Sequence, residues 1–437
     1  MKKTLITYAV SLFLLATILV GLSLFWSDLL PRWNLNRELK KVALDLHTKH
    51  LERLPPGVAP EVSRDALFQK ARELVAELPL FSSKFRYALS LGELVNEVGD
   101  PFTFFTIPRE FLLKNRVLPM KTRWTAGGLQ LLETPFGKIP PGAFILEIND
   151  QPVTLWLEKL SALAYAPNPQ VRNFWIVERG WFAWLPSFFD FSRAKVLYRF
   201  AGTQKVTDVD CIALEDWNTQ SEPFFSLEQR EDTAVLTLRA FSMEPGFLFA
   251  LRDKMDTLNQ NGVKHLLIDL RNARGQNPVP YPIQLLASYC VHSPAYLLPT
   301  LSQRDEKGNV VDWKNQYRVI PQENAFQGKI WVVVSRFSLF PDTQIFLAFL
   351  QRNDAATFVG EAPEEWLRTW SRIGPSPAII TRFWMDYSDS AVALFPGNGI
   401  PPEWMDLPLD LQPPPVGVSA FQDPTLQPVL QLLEDAS

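Results

Sequence analysis

The chain has 437 residues, 47% hydrophobic and 21% charged, which gives length for two or three cores and excludes a largely disordered protein. A net charge of −4 without a long Lys or Arg run excludes an electrostatic footprint for nucleic acid. With only Cys211 and Cys290, neither a zinc cluster nor a disulfide framework is available, and two buried thiols or one bridge in an oxidising compartment remain as alternatives.

Lys2 and Lys3 precede an uncharged stretch, Thr4 to Trp26, long enough to cross a bilayer as a helix of about 20 residues. Secretory signal peptides have a shorter apolar region, about 7–15 residues, and a small-residue cleavage site. No such site follows here, so an uncleaved signal anchor is expected, with the lysines cytoplasmic and the rest exported. In a bacterium that implies a single-pass protein of the cytoplasmic membrane with its bulk in the periplasm or outside. Release into the periplasm after signal cleavage is the alternative.

From Arg37 to Leu91 apolar residues recur at helical spacing (Leu44, Leu51; then Leu67, Ala71, Leu74, Val75, Leu78), broken by the Pro-rich Leu54 to Pro60. From Gly127 the texture changes to short apolar runs with Gly and Pro turns, including an Asn149-Asp150 turn, and predicts a β-rich module. Arg172 to Ser192 is the most aromatic part of the chain, read either as a packed helix and turn or as a patch resting on a bilayer. After Pro223 the pattern is α/β. Strands are expected at Ala234 to Phe241, His265 to Asn272, Lys329 to Ser335 and Thr357 to Gly360, with helices after Pro245 and from Asp342, implying a partly parallel sheet. A Pro-rich tail closes on a short helix.

Six stretches carry a resemblance to a family. LVNEVGDPFTFF (Leu94 to Phe105) resembles a G-D-P-H-T turn, and PPGAFILEINDQPV (Pro140 to Val153) a P-G-D-x-I-L-x-I-N-G-x-P-V signature. HLLIDLRNARGQ resembles L-I-x-D-L-R-x-N-x-G-G. FVGEAPEEW, GNGIPPEW and DPTLQPVL resemble V-G-E-x-T, G-x-G-I-x-P-D and D-x-x-L-x-x-A-L endings. Together, and in this order, they resemble the C-terminal processing (tail-specific) serine peptidases of the tricorn-core and retinoid-binding-repeat superfamily, in degenerate form.

The resemblance implies an α+β and α/β chain in five parts: a signal anchor and membrane helix (1–33), a helical region (34–120), a PDZ-like β module with an aromatic insert (121–220), a ClpP/crotonase-like βαβ core (221–412), and a Pro-rich tail (413–437). It also implies a serine nucleophile followed by a helix. Aligning VVVSRFSLFPDTQIFLAFLQ on its closing cadence puts Pro341 at the serine and Gln344 at a glutamate. The base lysine falls near Trp366, and Phe102 replaces the histidine of G-D-P-H-T. In the oxyanion loop Gly275 remains and Gln276 replaces the second glycine. Proline has no hydroxyl but suits a helix start.

The first reading is therefore a non-catalytic relative that binds peptides or proteins, holding unfolded or C-terminal segments of exported proteins beside a sheet edge, with Thr125 to Gln130 (Gly127, Gly128, Leu129) as the carboxylate-binding loop. The second is an active serine-type endopeptidase using the relocated Ser338, with His265 or His292 as base. A third is a carrier of an apolar ligand. Glu361, Glu364 and Glu365 form a carboxylate cluster that reads as a solvated loop, no spacing resembles a metal site, and no cofactor is expected.

Overall fold

The computed structural model describes residues 29–435 apart from 59–60, 108–111, 135–136, 218–222, 272, 275–279, 364–366, 368, 371–375, 378–382, 387–389, 395–418 and 424. The apolar stretch Thr4 to Trp26 lies outside the described residues. Among those described, no helix is long and apolar enough to cross a membrane.

The first described strand, Leu29–Pro31, pairs antiparallel with Phe81–Ser83. Three helices follow the spacing read above: α1 (Arg32–Asp45), continued by a π-helical turn, α2 (Arg64–Glu77) and α3 (Lys84–Asn96). Ser63 and Ser83 cap α2 and α3 by accepting the amides of Ala66 and Arg86, satisfying donors that a helix start leaves unpaired. α3 then docks on the next module at Gly92, where an added Cβ would stand 2.0 Å from the Ala162 carbonyl oxygen, so only glycine permits the approach.

That module is an antiparallel sheet of β1 (Lys121–Thr125), β2 (Gly128–Glu133), β3 (Phe144–Ile148), β4 (Arg193–Phe200) and β5 (Thr203–Asp210), in spatial order β5-β4-β3-β2-β1. Between β3 and β4 run α4 (Val153–Lys159), α5 (Pro169–Glu178), the turn Trp181–Trp184 and α6 (Leu185–Phe189). Phe174, Trp175, Trp181, Phe182 and Trp184 of this aromatic insert are buried in one core with the three N-terminal helices and the sheet. Rings buried against protein cannot rest on a bilayer, so the packed-helix reading of the insert is the one observed.

The second sheet runs in the order β6 (Phe225–Arg230), β7 (Thr233–Leu238), β8 (His265–Asp269), β11 (Lys329–Val334), β12 (Thr357–Gly360), antiparallel at β6 and parallel thereafter. α7 (Pro245–Leu258), α8 (Pro280–Cys290) and α9 (Pro341–Arg352) connect the parallel strands, and a long hairpin, β9 (Ala295–Arg304) with β10 (Val310–Val319), is inserted before β11. Alternate residues of the central strands point to opposite faces. Leu266, Ile268, Ile330 and Val332 meet α7, α8 and α9 on one side, whereas Leu267, Trp331 and Val333 meet the closing helix α10 (Gln427–Asp435) on the other. Burial on both faces explains why β8 and β11 read as unbroken apolar runs. Cys290 is buried in this core and Cys211 half-buried in the other; both are free thiols, pushed up by burial to about 12 and about 11.

The tail is tied to the sheet through charge. Arg271, just past β8, donates to Asp269 and Asp423 at 2.7 Å each and to the Thr425 hydroxyl at 2.5 Å, and all three charged side chains are at most 1% exposed. Burial alone would lower the guanidinium pKa, but the two carboxylates outweigh it and raise it. Replacing Arg271 by Met leaves two buried carboxylates without their partner, and Arg271→Met is expected to lose about 3–5 kcal/mol. Urea unfolding of the two proteins measures this directly as a shift in midpoint at constant slope.

Candidate functional site

The segment between β11 and α9 crosses the carboxyl ends of β8 and β11, where parallel α/β sheets place their ligands. It opens as a tight turn: Ser338 N–H donates to the Ser335 carbonyl at 2.9 Å. The Ser338 hydroxyl accepts the Ser335 amide at 3.1 Å and reaches the Leu270 carbonyl at 3.4 Å. At 1% exposure it is a strut holding the turn to the end of β8. A serine nucleophile requires a base within about 2.6–3.2 Å. Among the described residues none is bonded to Ser338.

The two histidines weighed as bases are elsewhere. His265 pairs with Lys329 at the amino end of the parallel strands, five residues before Leu270, a separation of about 17 Å along the strand. Burial also holds it below its ordinary pKa. His292 is exposed just beyond α8, whose end lies at the same amino edge, because the Phe326 amide, three residues before β11, donates to the Tyr289 carbonyl.

Pro341 occupies the first turn of α9 behind Phe340 at the N-cap. Its missing N–H costs nothing there and its fixed φ suits the helix start. Gln344, fully buried, spans the junction: its side-chain amide reaches the Ser338 carbonyl at 3.5 Å, and its carbonyl oxygen accepts the Leu367 amide at 2.5 Å. Gln344 thus fastens the helix start to the segment that follows β12. Trp366, Gly275 and Gln276 lie outside the described residues. Their neighbours are placed: Arg274 extends β-pairing to Ala240 and forms an ion pair with Glu178 of α5 at 3.0 Å.

The space over this junction is filled by rings. Phe337 stacks on Phe174 with centroids 5.4 Å apart and planes 6° from parallel, and Phe340 meets Phe174 at 5.7 Å and Trp175 at 5.3 Å. Phe102, in the turn written GDPFT, meets Trp175 edge-on at 5.9 Å. That turn is closed by Asp100, which accepts the Phe102 amide and the Thr103 hydroxyl, and Arg179 at the end of α5 donates to the Pro101 carbonyl. The segment from Phe337 to Phe340 accordingly belongs to the core of the helical and β modules, although the helix it starts belongs to the second sheet.

Of the carboxylate cluster, Glu361 is engaged by Arg336 through two bonds, at 2.5 and 3.0 Å, and the hydrogen bond from Arg336 holds its pKa below the ordinary value. Glu364 and Glu365 lie outside the described residues. Gly127 and Gly128 belong to a hairpin: Ala126 and Gly127 form its tip, Gly128 has φ +109° and pairs with Thr125, and the Thr125 hydroxyl donates to the Gly128 carbonyl. Leu129 pairs with Trp124 on one side and Ile145 on the other. An added peptide strand therefore has no free edge at Leu129.

Among solved structures the chain is similar to CPAF. A serine-to-alanine variant superposes with a TM-score of 0.62 at 12% identity over 83% of this chain and 89% of that one. Mature CPAF gives 0.59 at 14% over 83% and 89%, and mature CPAF complexed with lactacystin gives 0.59 at 14% over 83% and 90%. The fold is that of these CPAF structures. No protein-family profile and no curated protein sequence matches the chain.

Sequence reasoning missed Asp342, which follows Pro341. An acid in a first helical turn ordinarily favours the macrodipole and reads as unremarkable. Here it is 1% exposed, its Oδ1 has no hydrogen-bond partner among the described residues, and burial raises its pKa well above the usual 3.8. The raised value means that the folded state holds a proton the unfolded chain releases. The resulting penalty is absent below the unfolded pKa, grows as pH rises through the interval between the two values, and is complete above the folded one. Asp342→Asn is therefore expected to stabilise the protein by at least about 1 kcal/mol at neutral pH and to leave it nearly unchanged near pH 3.5. Chemical denaturation at both pH values checks the sign and the window.

Proposed function

We propose that this chain is a membrane-anchored, exported protein with a protease fold that has lost the peptidase step and works by binding protein or peptide segments. The observation that carries this reading is the aromatic seal: Phe337 and Phe340 lie against Phe174 and Trp175 where a substrate carbonyl would need to reach a nucleophile, and the aligned nucleophile is Pro341. Losing nucleophile or base costs on the order of a millionfold in rate, because the two act as a unit. The anchor is the apolar stretch Thr4 to Trp26, and the location is the outer side of a bacterial cytoplasmic membrane.

In this reading the antiparallel sheet is the PDZ-like module, and peptides add to it as a strand. Strand addition requires an unpaired edge. β1 is flanked by α5, where the Trp124 indole donates to Gln170 at 3.0 Å, whereas β5 ends the sheet with nearly every residue exposed or half-buried. The tight turn at Ala201 and Gly202 makes Phe200 and Thr203 the closing bonded pair, so the amides of alternate residues from Gln204, including Val206, point outward. The rings that motivate an apolar-ligand carrier are packed on one another, which removes the support for that alternative.

The test is cleavage of unfolded protein and C-terminal peptides by the full chain, with Ser338→Ala alongside, and peptide binding by the same preparations. No turnover in either protein with binding retained is the expected outcome. Turnover abolished in Ser338→Ala would replace this reading with that of an active endopeptidase using Ser338. Val206→Pro, which removes one outward amide from β5, is expected to weaken binding about tenfold, and unchanged affinity would move the peptide site off that edge.

A further inference from the structure

The apolar segment and the folded body are joined by very little chain. Only Ser27 and Asp28 separate Trp26 from Leu29, and Leu29 is paired with Ser83. Three residues extend at most about 11 Å. Each headgroup layer of a bilayer is about 5–8 Å deep. If residues 4–26 cross a membrane, the strand pair Leu29–Pro31 and Phe81–Ser83 must therefore lie within or just above the headgroups.

The surface around that strand pair suits this position. Trp33 is 59% exposed, Leu80 65% and Phe81 41%, and the Trp33 and Phe81 rings meet edge-on at 6.1 Å. Leu80 is fixed by the Arg32 amide, which donates to its carbonyl at 2.9 Å. Beside these apolar side chains is an open groove of about 460 Å³ that contains Arg32, Lys40 and Arg72. On the other flank of the strand pair a second groove, about 340 Å³, contains Lys84, Lys114 and Arg116. The second groove also contains Asp190. The two grooves are thus lined by six cations and one carboxylate, around a Trp, a Leu and a Phe, in a chain whose net charge is −4.

We propose that this face rests on an anionic phospholipid bilayer, with Trp33, Leu80 and Phe81 in the headgroup layer and the two basic grooves taking lipid phosphates. The inference depends on the anchor reading of residues 4–26. Indole and phenyl rings are favoured at headgroup depth, and each Lys or Arg near an anionic surface adds about 1 kcal/mol, or about fivefold in occupancy. Docking fixes the orientation of the body relative to the bilayer.

The experiment uses the full chain reconstituted in vesicles of phosphatidylethanolamine and phosphatidylglycerol at 3:1, or of phosphatidylcholine alone. An environment-sensitive fluorophore is attached at Leu80→Cys or at Val206→Cys, each in a Cys211→Ser background, and quenched by spin-labelled lipid. The label at position 80 should be quenched in the anionic vesicles and the label at 206 should not. Lys40→Glu with Arg72→Glu should reduce the quenched fraction at position 80 by about fivefold per charge, without releasing the chain from the vesicles. If the chain floats with the vesicles but the label at 80 is as unquenched as the label at 206, the docking inference fails and the anchor stands. A label at 80 that is shielded from water yet unquenched by lipid would assign the face to another protein surface, or to residues 1–28 folded back on it, and would overturn the inference. A chain that does not float overturns the anchor and the docking together.

Discussion

The guanidinium of Arg271 is the point on which the second half of the molecule depends. It sits at the end of the central strand β8, inside a fold that tolerates no unpaired charge there, and is neutralised by one carboxylate from its own strand and one from the tail. Two carboxylates face one guanidinium, and they also accept hydrogen bonds from the Arg271 and Thr425 amides and from the Thr425 hydroxyl, which donates to Asp423. Such a site adds little net stability compared with apolar packing, but it selects one arrangement, because every alternative strands a charge in the interior. The chain leaving β8 is thereby aimed across the sheet toward Arg274, and the tail is held with α10 against the opposite face.

The same economy explains the junction above the strands. A serine nucleophile must stand where water and substrate can reach it, and such a position resists ordinary packing. Here the turn is built for packing. Pro341 starts the helix, Ser338 closes the turn internally, and Phe337 and Phe340 turn toward the aromatic insert. Each ring pair contributes about 0.5–1.5 kcal/mol beyond its buried area. The Glu178 and Arg274 ion pair joins the insert to the loop beyond β8, so the two cores are connected through the region where a substrate groove would have to open. Asp342 is a local cost of this packing: the first turn of α9, being buried, has no solvent to offer its carboxylate.

Much of the fold was legible in the sequence. The strands from His265 and Lys329 announced themselves as apolar runs because both faces are covered, and the glycine that ends β12 and the proline that opens α9 marked true boundaries. The long hairpin of β9 and β10 was not read. Its two strands alternate weakly, with much of β10 exposed, and its turn is defined by Asp305 accepting the amides of Lys307 and Asn309, a signature common to many loops. The site was legible by subtraction only. Pro341 and the lack of lysine after Lys329 could be read directly, whereas the partners of Phe337 and Arg274 come from α5, more than 90 residues earlier, and no local pattern announces a contact at that separation. At the hairpin tip by Gly127 local residues left the choice open: two glycines suit a ligand loop and a tight turn equally, and the structure forms a tight turn with Leu129 paired on both sides.

The third core has a consequence for the order in which the molecule is made. One face of the parallel sheet, with Val235, Leu267, Trp331, Val333 and Val359, is covered by Leu426 and by Val429, Leu430 and Leu433 of α10. Those covering residues leave the ribosome after every strand they cover, and until they arrive the sheet exposes an apolar face while Asp423 is missing from the Arg271 triad. Domains complete in sequence generally fold as synthesis proceeds, so the helical and antiparallel modules can assemble early while the parallel sheet waits. A chain cut before Asp423 would lose the lid of its parallel sheet, presenting the cell with an exposed strand surface of the kind that marks proteins for degradation.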